Sequence, residues 1–313
     1  MSMPFPILGS RNAKSVLVSG GTGFVGRFIV EGLLAAGYRV KVAGRHRPEA
    51  GFFSGHVDFA ELDLDRDAGY ERLFEGIGHF VHAAFDHLPG KYRGGEGEDA
   101  EGFRRRNLAA TAKLFEAARN AGIGRAVFLS SRAVYGTQPP GATLYETTEP
   151  HPDTLYGEVK LGAEKVLLDL ASVNFTPAVL RVTGVYGSAG SGHRHKWAPL
   201  FADYLAGRAI EPRAGTEVHG QDVAGATRLM LEGPSDKIAG EIFNVSDILV
   251  DRRDVLALVQ RETGSANTLP KAADAGSLNV MDATKLRALG WRSGGKKLLD
   301  RTVAELVTEM RVG

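Results

Sequence analysis

Seven residues near the amino terminus, Gly20-Gly21-Thr22-Gly23-Phe24-Val25-Gly26, constrain the fold more than any other feature of the chain. They follow a short apolar run, Ser15 to Ser19, and precede a segment in which Phe24, Val25, Phe28, Ile29, Leu33 and Leu34 recur at helical spacing until Gly37. That order predicts strand, tight turn, helix. Glycines at 20, 23 and 26 let the backbone turn, approach a pyrophosphate and pack the helix against a sheet, while the helix amino terminus attracts phosphate. A glycine trio alone also serves as a plain structural turn; its place between strand and helix is what points to a dinucleotide. No Gly-Lys-Ser or Gly-Lys-Thr occurs, which excludes the phosphate loop of nucleoside triphosphatases.

Further strands are expected at Arg39 to Ala43, His56 to Leu62, His79 to Ala84 and Arg125 to Ser130, with a helix from about Phe103 to Ala118 before the last of these. Strands that alternate with helical segments build a parallel sheet covered on both faces. Tyr156 to Leu170 reads as another helix and Pro177 to Val182 as a sixth strand buried on both faces. Beyond Gly187 the regularity weakens: Pro199 to Leu205, Val255 to Val259, Leu286 to Leu289 and Leu298 to Leu306 are short helical patches, and Glu241 to Val245 is a returning strand. The fold expected is α/β, a doubly wound, Rossmann-like parallel sheet with a smaller, mainly C-terminal substrate lobe. At roughly 100 to 200 residues per domain, 313 residues suit that division. A dinucleotide domain is expected over 1–186 with a returning part at about 216–247, and the lobe over 187–215 and 248–313.

Composition narrows the function class. With no cysteine there is no disulfide, thiolate metal site or cysteine nucleophile. Lys plus Arg is 38 and Asp plus Glu is 37, a net +1, so the chain has no global field to hold a polyanion or an anionic membrane. Nucleic acid and membrane are therefore not expected as partners; a small-molecule substrate is, and a homodimer is compatible with the sequence. Met1 to Lys14 has no apolar run of signal-peptide length and nowhere do about 18 apolar residues stand together, so the expected location is cytoplasmic.

Chemistry concentrates in Ser131, Tyr156 and Lys160. A spacing of four on one helix puts the Tyr156 phenol and the Lys160 ammonium on the same face one turn apart. A cation there favours the phenolate and lowers the tyrosine pKa from its ordinary value of about 10, which suits a proton donor and acceptor. Ser131 ends the fifth strand, whose carboxyl end is where such sheets bind ligands. Taken alone, Tyr-x-x-x-Lys is also an ordinary exposed helix face.

Taken together, the motifs resemble an extended short-chain dehydrogenase/reductase of the NAD-dependent epimerase/dehydratase family. The likeness runs from about Val16 to Leu306: the glycine motif, Asp63-Leu64, His82-Ala83-Ala84, Asn107, Leu129-Ser130-Ser131, Val134-Tyr135-Gly136, Tyr156 with Lys160, Leu180-Arg181, Val185-Tyr186-Gly187, Phe243-Asn244-Val245 and Leu289-Gly290-Trp291. The resemblance implies a hydride-transfer site. Ser131 would orient a substrate oxygen, Tyr156 exchange its proton, and Lys160 hold the nicotinamide ribose. Asp63 and Leu64 would lie along the adenine and Ala83 and Ala84 along the coenzyme ribose, with Phe24 and Val25 beside Gly20, Gly23 and Gly26 at the pyrophosphate. Asn107 would join the coenzyme site or simply tie its helix to a neighbouring strand. Leu289-Gly290-Trp291 reads as packing and turn. An NAD(P)-dependent oxidoreductase acting on a secondary alcohol or ketone, including sugars, is the leading expectation. The alternatives are a nucleotide-sugar 4-epimerase and a non-catalytic NAD(P)-binding sensor or scaffold.

Departures from the family pattern carry information too. Many nucleotide-sugar members have Asn where this chain has Gly184 and Arg where it has Gly215, side chains that grip the nucleotide diphosphate; Arg213 is a candidate replacement. Sugar 4,6-dehydratases have acidic residues directly after the catalytic hydroxyl, where this chain has Arg132 and Ala133. Gly44 stands at the end of the second strand, where NAD-specific folds place an acid that bonds the ribose 2′-OH. Glycine removes the repulsion of a 2′-phosphate, and Arg45 beside it, with His46 and Arg47, favours NADP over NAD. His193-Arg194-His195-Lys196 is either an anion site or a solvated loop, and Phe85 to Glu98, with His87, Tyr92 and Arg93, either a lid or a surface loop.

Overall fold

The computed structural model describes residues 14–66, 69–87, 97–190 and 194–312; Tyr92, Arg93 and His193 lie outside them. The first strand β1 (Ser15–Ser19) runs through the glycine turn into α1 (Phe24–Ala35), followed by β2 (Arg39–Gly44), β3 (Asp58–Glu61) and β4 (His79–His82). A long helical segment comes next, α2 (Ala100–Arg104), one π-helical turn (Arg105–Ala109) and α3 (Ala110–Asn120), then β5 (Arg125–Ser131), α4 (Leu155–Asp169) and β6 (Thr176–Val182). The remainder is β7 (Gly184–Tyr186), α5 (Ala198–Leu205), β8 (Ala214–His219), α6 (Gly220–Glu232), β9 (Glu241–Val245), β10 (Ile248–Asp251), α7 (Arg252–Thr263), α8 (Thr284–Ala288) and α9 (Gly295–Val312).

Seven strands form one sheet in the order β3-β2-β1-β4-β5-β6-β9, every pair parallel. Side chains alternate between its faces with a period of two. Val16, Val18, Val81, Val127 and Leu129 meet Ile29, Val30 and Leu33 of α1 and Val223, Ala226 and Met230 of α6. Leu17, Phe80, Phe128 and Val179 meet Leu114, Phe115 and Ala118 of α3 and Ala163 and Leu167 of α4. Both faces being covered, β1 and β6 are buried along their whole length, whereas β2 and β3 toward the edge of the sheet carry charged residues. The chain moves outward from β1 through β2 to β3 and then resumes on the other side of β1 with β4, which opens a crevice at the carboxyl ends of β1 and β4.

A second sheet of three strands, β10-β8-β7, joins α5, α7 and α9 around a separate core that includes Tyr186, Phe201, Leu256 and Val303. Three expectations are corrected here. The third strand begins at Asp58 rather than His56, the fourth ends at His82 rather than Ala84, and a helix over Gly220–Glu232 was not expected at all. Gly220 and Gly225 blurred its period. None of the described helices is long and apolar enough to cross a membrane.

Candidate active site

The glycine motif and the segment after β4 are in contact. Gly20 has φ +71°, and a side chain there would collide with the backbone of Ala83 and Ala84, at 2.6 Å from the Ala84 Cα. A Cβ on Gly26 would lie 2.0 Å from the Gly20 carbonyl oxygen. Only glycines permit the turn to sit this close to α1, and the cradle they leave open at the helix amino terminus suits a pyrophosphate. The backbone of Ala83 donates to the Ser19 carbonyl, continuing the sheet for one more bond past β4.

On the far side of the crevice, the Leu62 amide donates to the Gly44 carbonyl, which sets Asp63 and Leu64 beside the end of β2. The Asp63 carboxylate accepts the Asp65 amide at 3.0 Å and Leu64, partly buried, packs against the core that the sheet forms with α3 and α4. Arg45 reaches across to Asp86 at 3.3 Å, and Asp86 also accepts Arg106 Nε at 2.7 Å. Gly44, Arg45, Asp63 and Leu64 thus gather at the ends of β2 and β3. Asn107, on the π-helical turn, accepts the Asp86 amide at 2.7 Å and donates to the carbonyls of Asp86 and Phe103. Its side chain is wholly engaged in fixing the backbone that follows β4.

The Ser131 Oγ accepts the Ala133 amide at 3.2 Å and so starts the 3-10 turn Arg132–Tyr135. Thr154 caps α4 by accepting the Gly157 amide, and a Cβ on Gly157 would lie 2.5 Å from the Ala133 carbonyl oxygen. The bare Gly157 therefore lets the first turn of α4, which carries Tyr156, press against the turn that carries Ser131. Lys160, 4% exposed, donates from Nζ to the Leu129 carbonyl at 2.7 Å. Its ammonium lies over the rings of Phe85 and Phe128 at 4.5 and 4.7 Å and 6.0 Å from that of Tyr156. Burial pushes its pKa down to about 7, opposed by Glu164 one turn along the helix.

Three features of this site were not read from the sequence. Phe85 stands edge-on to Tyr156 at 5.0 Å and covers Lys160, a placement that no periodicity signals. Glu164 continues the four-residue spacing from Tyr156 and Lys160 and was open to detection; buried, it accepts a hydrogen bond from Ser130 and pairs with Arg181 at 2.8 Å. Glu217 faces Gly184 across β7 and β8 and pairs with Lys196. The basic loop is accordingly not simply solvated: Arg194 is exposed, His195 is buried against Phe201 and Lys196 is in an ion pair.

The model of the NAD dependent epimerase/dehydratase family matches residues 16–246 of the chain. A UDP-glucose 4-epimerase of Rhizobium leguminosarum bv. trifolii is 32% identical over 223 residues, 67% of this chain and 64% of the relative. The decarboxylating sterol-4-alpha-carboxylate 3-dehydrogenase of Mus musculus is 31% identical over 182 residues, 56% of this chain and 47% of the relative. The chain thus spans less than two thirds of the length of these relatives. Among solved structures, the UDP-glucose 4-epimerase of Thermus thermophilus in complex with NAD is similar at a TM-score of 0.76 and 29% identity, over 95% of this chain and 99% of that one.

Proposed function

The chain belongs to the NAD dependent epimerase/dehydratase family, and from that premise we propose that it is an NAD(P)-dependent oxidoreductase of the extended short-chain dehydrogenase/reductase type, acting on a secondary alcohol or its ketone. The observation that carries this reading is the close approach of the Tyr156 turn to the Ser131 turn through Gly157, with Lys160 anchored beside both. A bound nicotinamide supplies the hydride acceptor or donor. Ser131 orients the substrate oxygen, Tyr156 gives or takes its proton, and Lys160 in its charged form favours the phenolate and binds the ribose. Gly20, Gly23, Phe24, Val25 and Gly26 hold the pyrophosphate, Asp63, Leu64 and Arg45 the adenosine, and Ala83 and Ala84 the ribose, while Asn107 keeps the segment after β4 in place. The smaller lobe, 187–215 with 248–313, holds the rest of the substrate.

Identification of the coenzyme carried by the purified protein, followed by a substrate panel read at 340 nm, tests the reading. The relatives' names favour a second one, a nucleotide-sugar 4-epimerase that uses the same hydride step twice on a retained coenzyme. Interconversion of UDP-glucose and UDP-galactose without net change at 340 nm would establish that one instead.

For the coenzyme, NADP is proposed over NAD. Arg45 is fixed toward the crevice by Asp86, and a 2′-phosphate offers its guanidinium a second, stronger acceptor, while Gly44 offers the NAD diol none. The side chain is 64% exposed, so the low end of the range for a hydrogen bond to a charged group applies. Arg45→Ala is expected to weaken NADPH binding by about 1.5 kcal/mol, roughly tenfold, with NADH nearly unaffected. Titration of both coenzymes into both proteins reads this, and a wild type that prefers NADH refutes it.

A further inference from the structure

We propose that Asp86 sets the coenzyme preference: anchored on one side of the crevice and paired with Arg45 from the other, its carboxylate opposes the 2′-phosphate of NADP and holds down the advantage that Arg45 gives it. The inference rests on the coenzyme reading above and names the residue that limits it.

The register of the sheet places the pair. Ser19 of β1 stands level with Ala43 of β2 on one side and with His82 of β4 on the other. Gly20, next in the chain, starts the turn read as the pyrophosphate cradle. Arg45 is two residues beyond Ala43 and Asp86 four beyond His82, so both lie past the carboxyl ends of the strands that flank β1. With about 4.8 Å between neighbours, those two strands are about 10 Å apart. The contact between Arg45 and Asp86, at 3.3 Å, joins the two sides of the crevice. In such folds the residue at the end of β2 meets the adenosine ribose. A 2′-phosphate bonded to the Arg45 guanidinium is then within roughly 8 Å of the Asp86 carboxylate, about one Debye length.

The two members of the pair are not equally free. The other oxygen of Asp86 accepts Arg106 Nε at 2.7 Å, and Asn107 bonds both the amide and the carbonyl of the same residue. The Asp86 side chain is 27% exposed, that of Arg45 64%. The carboxylate is the fixed member and the guanidinium the movable one. A phosphate can draw Arg45 toward itself, but the carboxylate stays where it is.

Arg106 does not neutralise Asp86 by itself, because that guanidinium also pairs with Asp99 at 3.1 Å. Arg45, Arg106, Asp86 and Asp99 together carry no net charge. The neighbouring charges are engaged elsewhere: Glu61 and Asp63 with Arg66, and Asp65 with Arg105. His46 is exposed, and the Arg47 guanidinium lies over the Phe59 ring on β3. Among the described residues, removing the Asp86 charge therefore turns a neutral group into one of net +1 beside the phosphate and leaves all of the Arg45 fork to it. The ribose diol of NAD carries no charge and gains nothing from the change.

Titration of NADPH and NADH into wild type, Asp86→Asn and Asp86→Ser tests this, the readout being the ratio of the two dissociation constants. Asparagine keeps the shape and removes the charge, and neither substitution touches the pair between Arg106 and Asp99 or the main-chain bonds of Asn107. In both variants the ratio is expected to move by about tenfold or more toward NADPH, carried by tighter NADPH binding, and the gain to shrink at high salt. On an Arg45→Ala background the gain is expected to fall to about threefold or less, because the freed donor is gone. An unchanged ratio, or an equal change in affinity for both coenzymes as a purely structural role would give, overturns the inference and leaves the proposed function standing. A wild type that prefers NADH refutes the choice of NADP; the shift in Asp86→Asn then still supports the inference, and its absence still overturns it. Failure of both coenzymes to bind removes the proposed function, and the inference with it.

Discussion

Replacement of Tyr156 by phenylalanine is expected to lower turnover of any substrate by about 10² to 10⁴, the loss of a general acid or base, while coenzyme affinity stays near that of wild type. The change deletes one oxygen and leaves the edge-on ring contact with Phe85, so under the proposed mechanism it removes the proton donor and acceptor alone. Lys160→Ala is expected to damage both turnover and coenzyme binding, because that ammonium is buried between Phe85 and Phe128 and anchors α4 to the Leu129 carbonyl. The pH profile separates the two roles. Burial holds the Lys160 pKa down to about 7, so the proton is lost as pH rises through that value. In the oxidative direction, kcat/KM is expected to lose the part that depends on the ammonium above pH 7, and Lys160→Ala to lack that limb. Wild-type turnover by Tyr156→Phe would remove the tyrosine from the mechanism.

Glu164→Ala is expected to cost about 3 to 5 kcal/mol of stability, measured by urea unfolding, because it strands a buried cation. Glu164 and Arg181 are 1% and 2% exposed, and the guanidinium donates twice to the carboxylate, from Nε at 3.1 Å and from its terminal nitrogen at 2.8 Å. Arg181 also lies over the Tyr135 ring at 4.7 Å, and Tyr135 donates to Asn244 at 2.7 Å. The cluster joins α4, β5, β6 and β9, the elements that carry or flank Ser131, Tyr156 and Lys160. Replacing both charges together, Glu164→Leu with Arg181→Met, is expected to recover much of the loss, since a well-packed apolar pair avoids the desolvation of two ions. If Glu164→Ala unfolded at the wild-type urea midpoint, the pair would contribute nothing to the fold.

What the sequence determined by itself is the part of the protein governed by local periodicity. Ser15–Ser19 and Phe24–Ala35 were legible because an apolar run, a glycine turn and a helical repeat are each encoded within about a dozen residues. The parallel sheet followed from the alternation of such units, and Tyr156 and Lys160 fell on one helix face through their spacing alone. The small sheet and α6 were not legible. Gly184–Tyr186 has three residues, and Gly220–Glu232 interrupts its apolar stripe with glycines. Their partners lie far along the chain, so only long-range pairing stabilises them.

Tertiary structure alone decided which charges meet. The sequence offers Arg45 as a 2′-phosphate contact or a solvated residue after a strand, and gives no sign of its pairing with Asp86, 41 residues later. Asn107 reads equally as a coenzyme contact and as a tie between its helix and a neighbouring strand, and its bonds to the Asp86 backbone appear only in the tertiary structure. Gly184 reads as a missing side chain until the Glu217 carboxylate is found against it. The physical reason is one of range: backbone preference and amphipathic period act over a few residues and are written locally. An ion pair or hydrogen bond forms only over a few ångströms, and folding alone brings residues 33 or 41 positions apart within that distance.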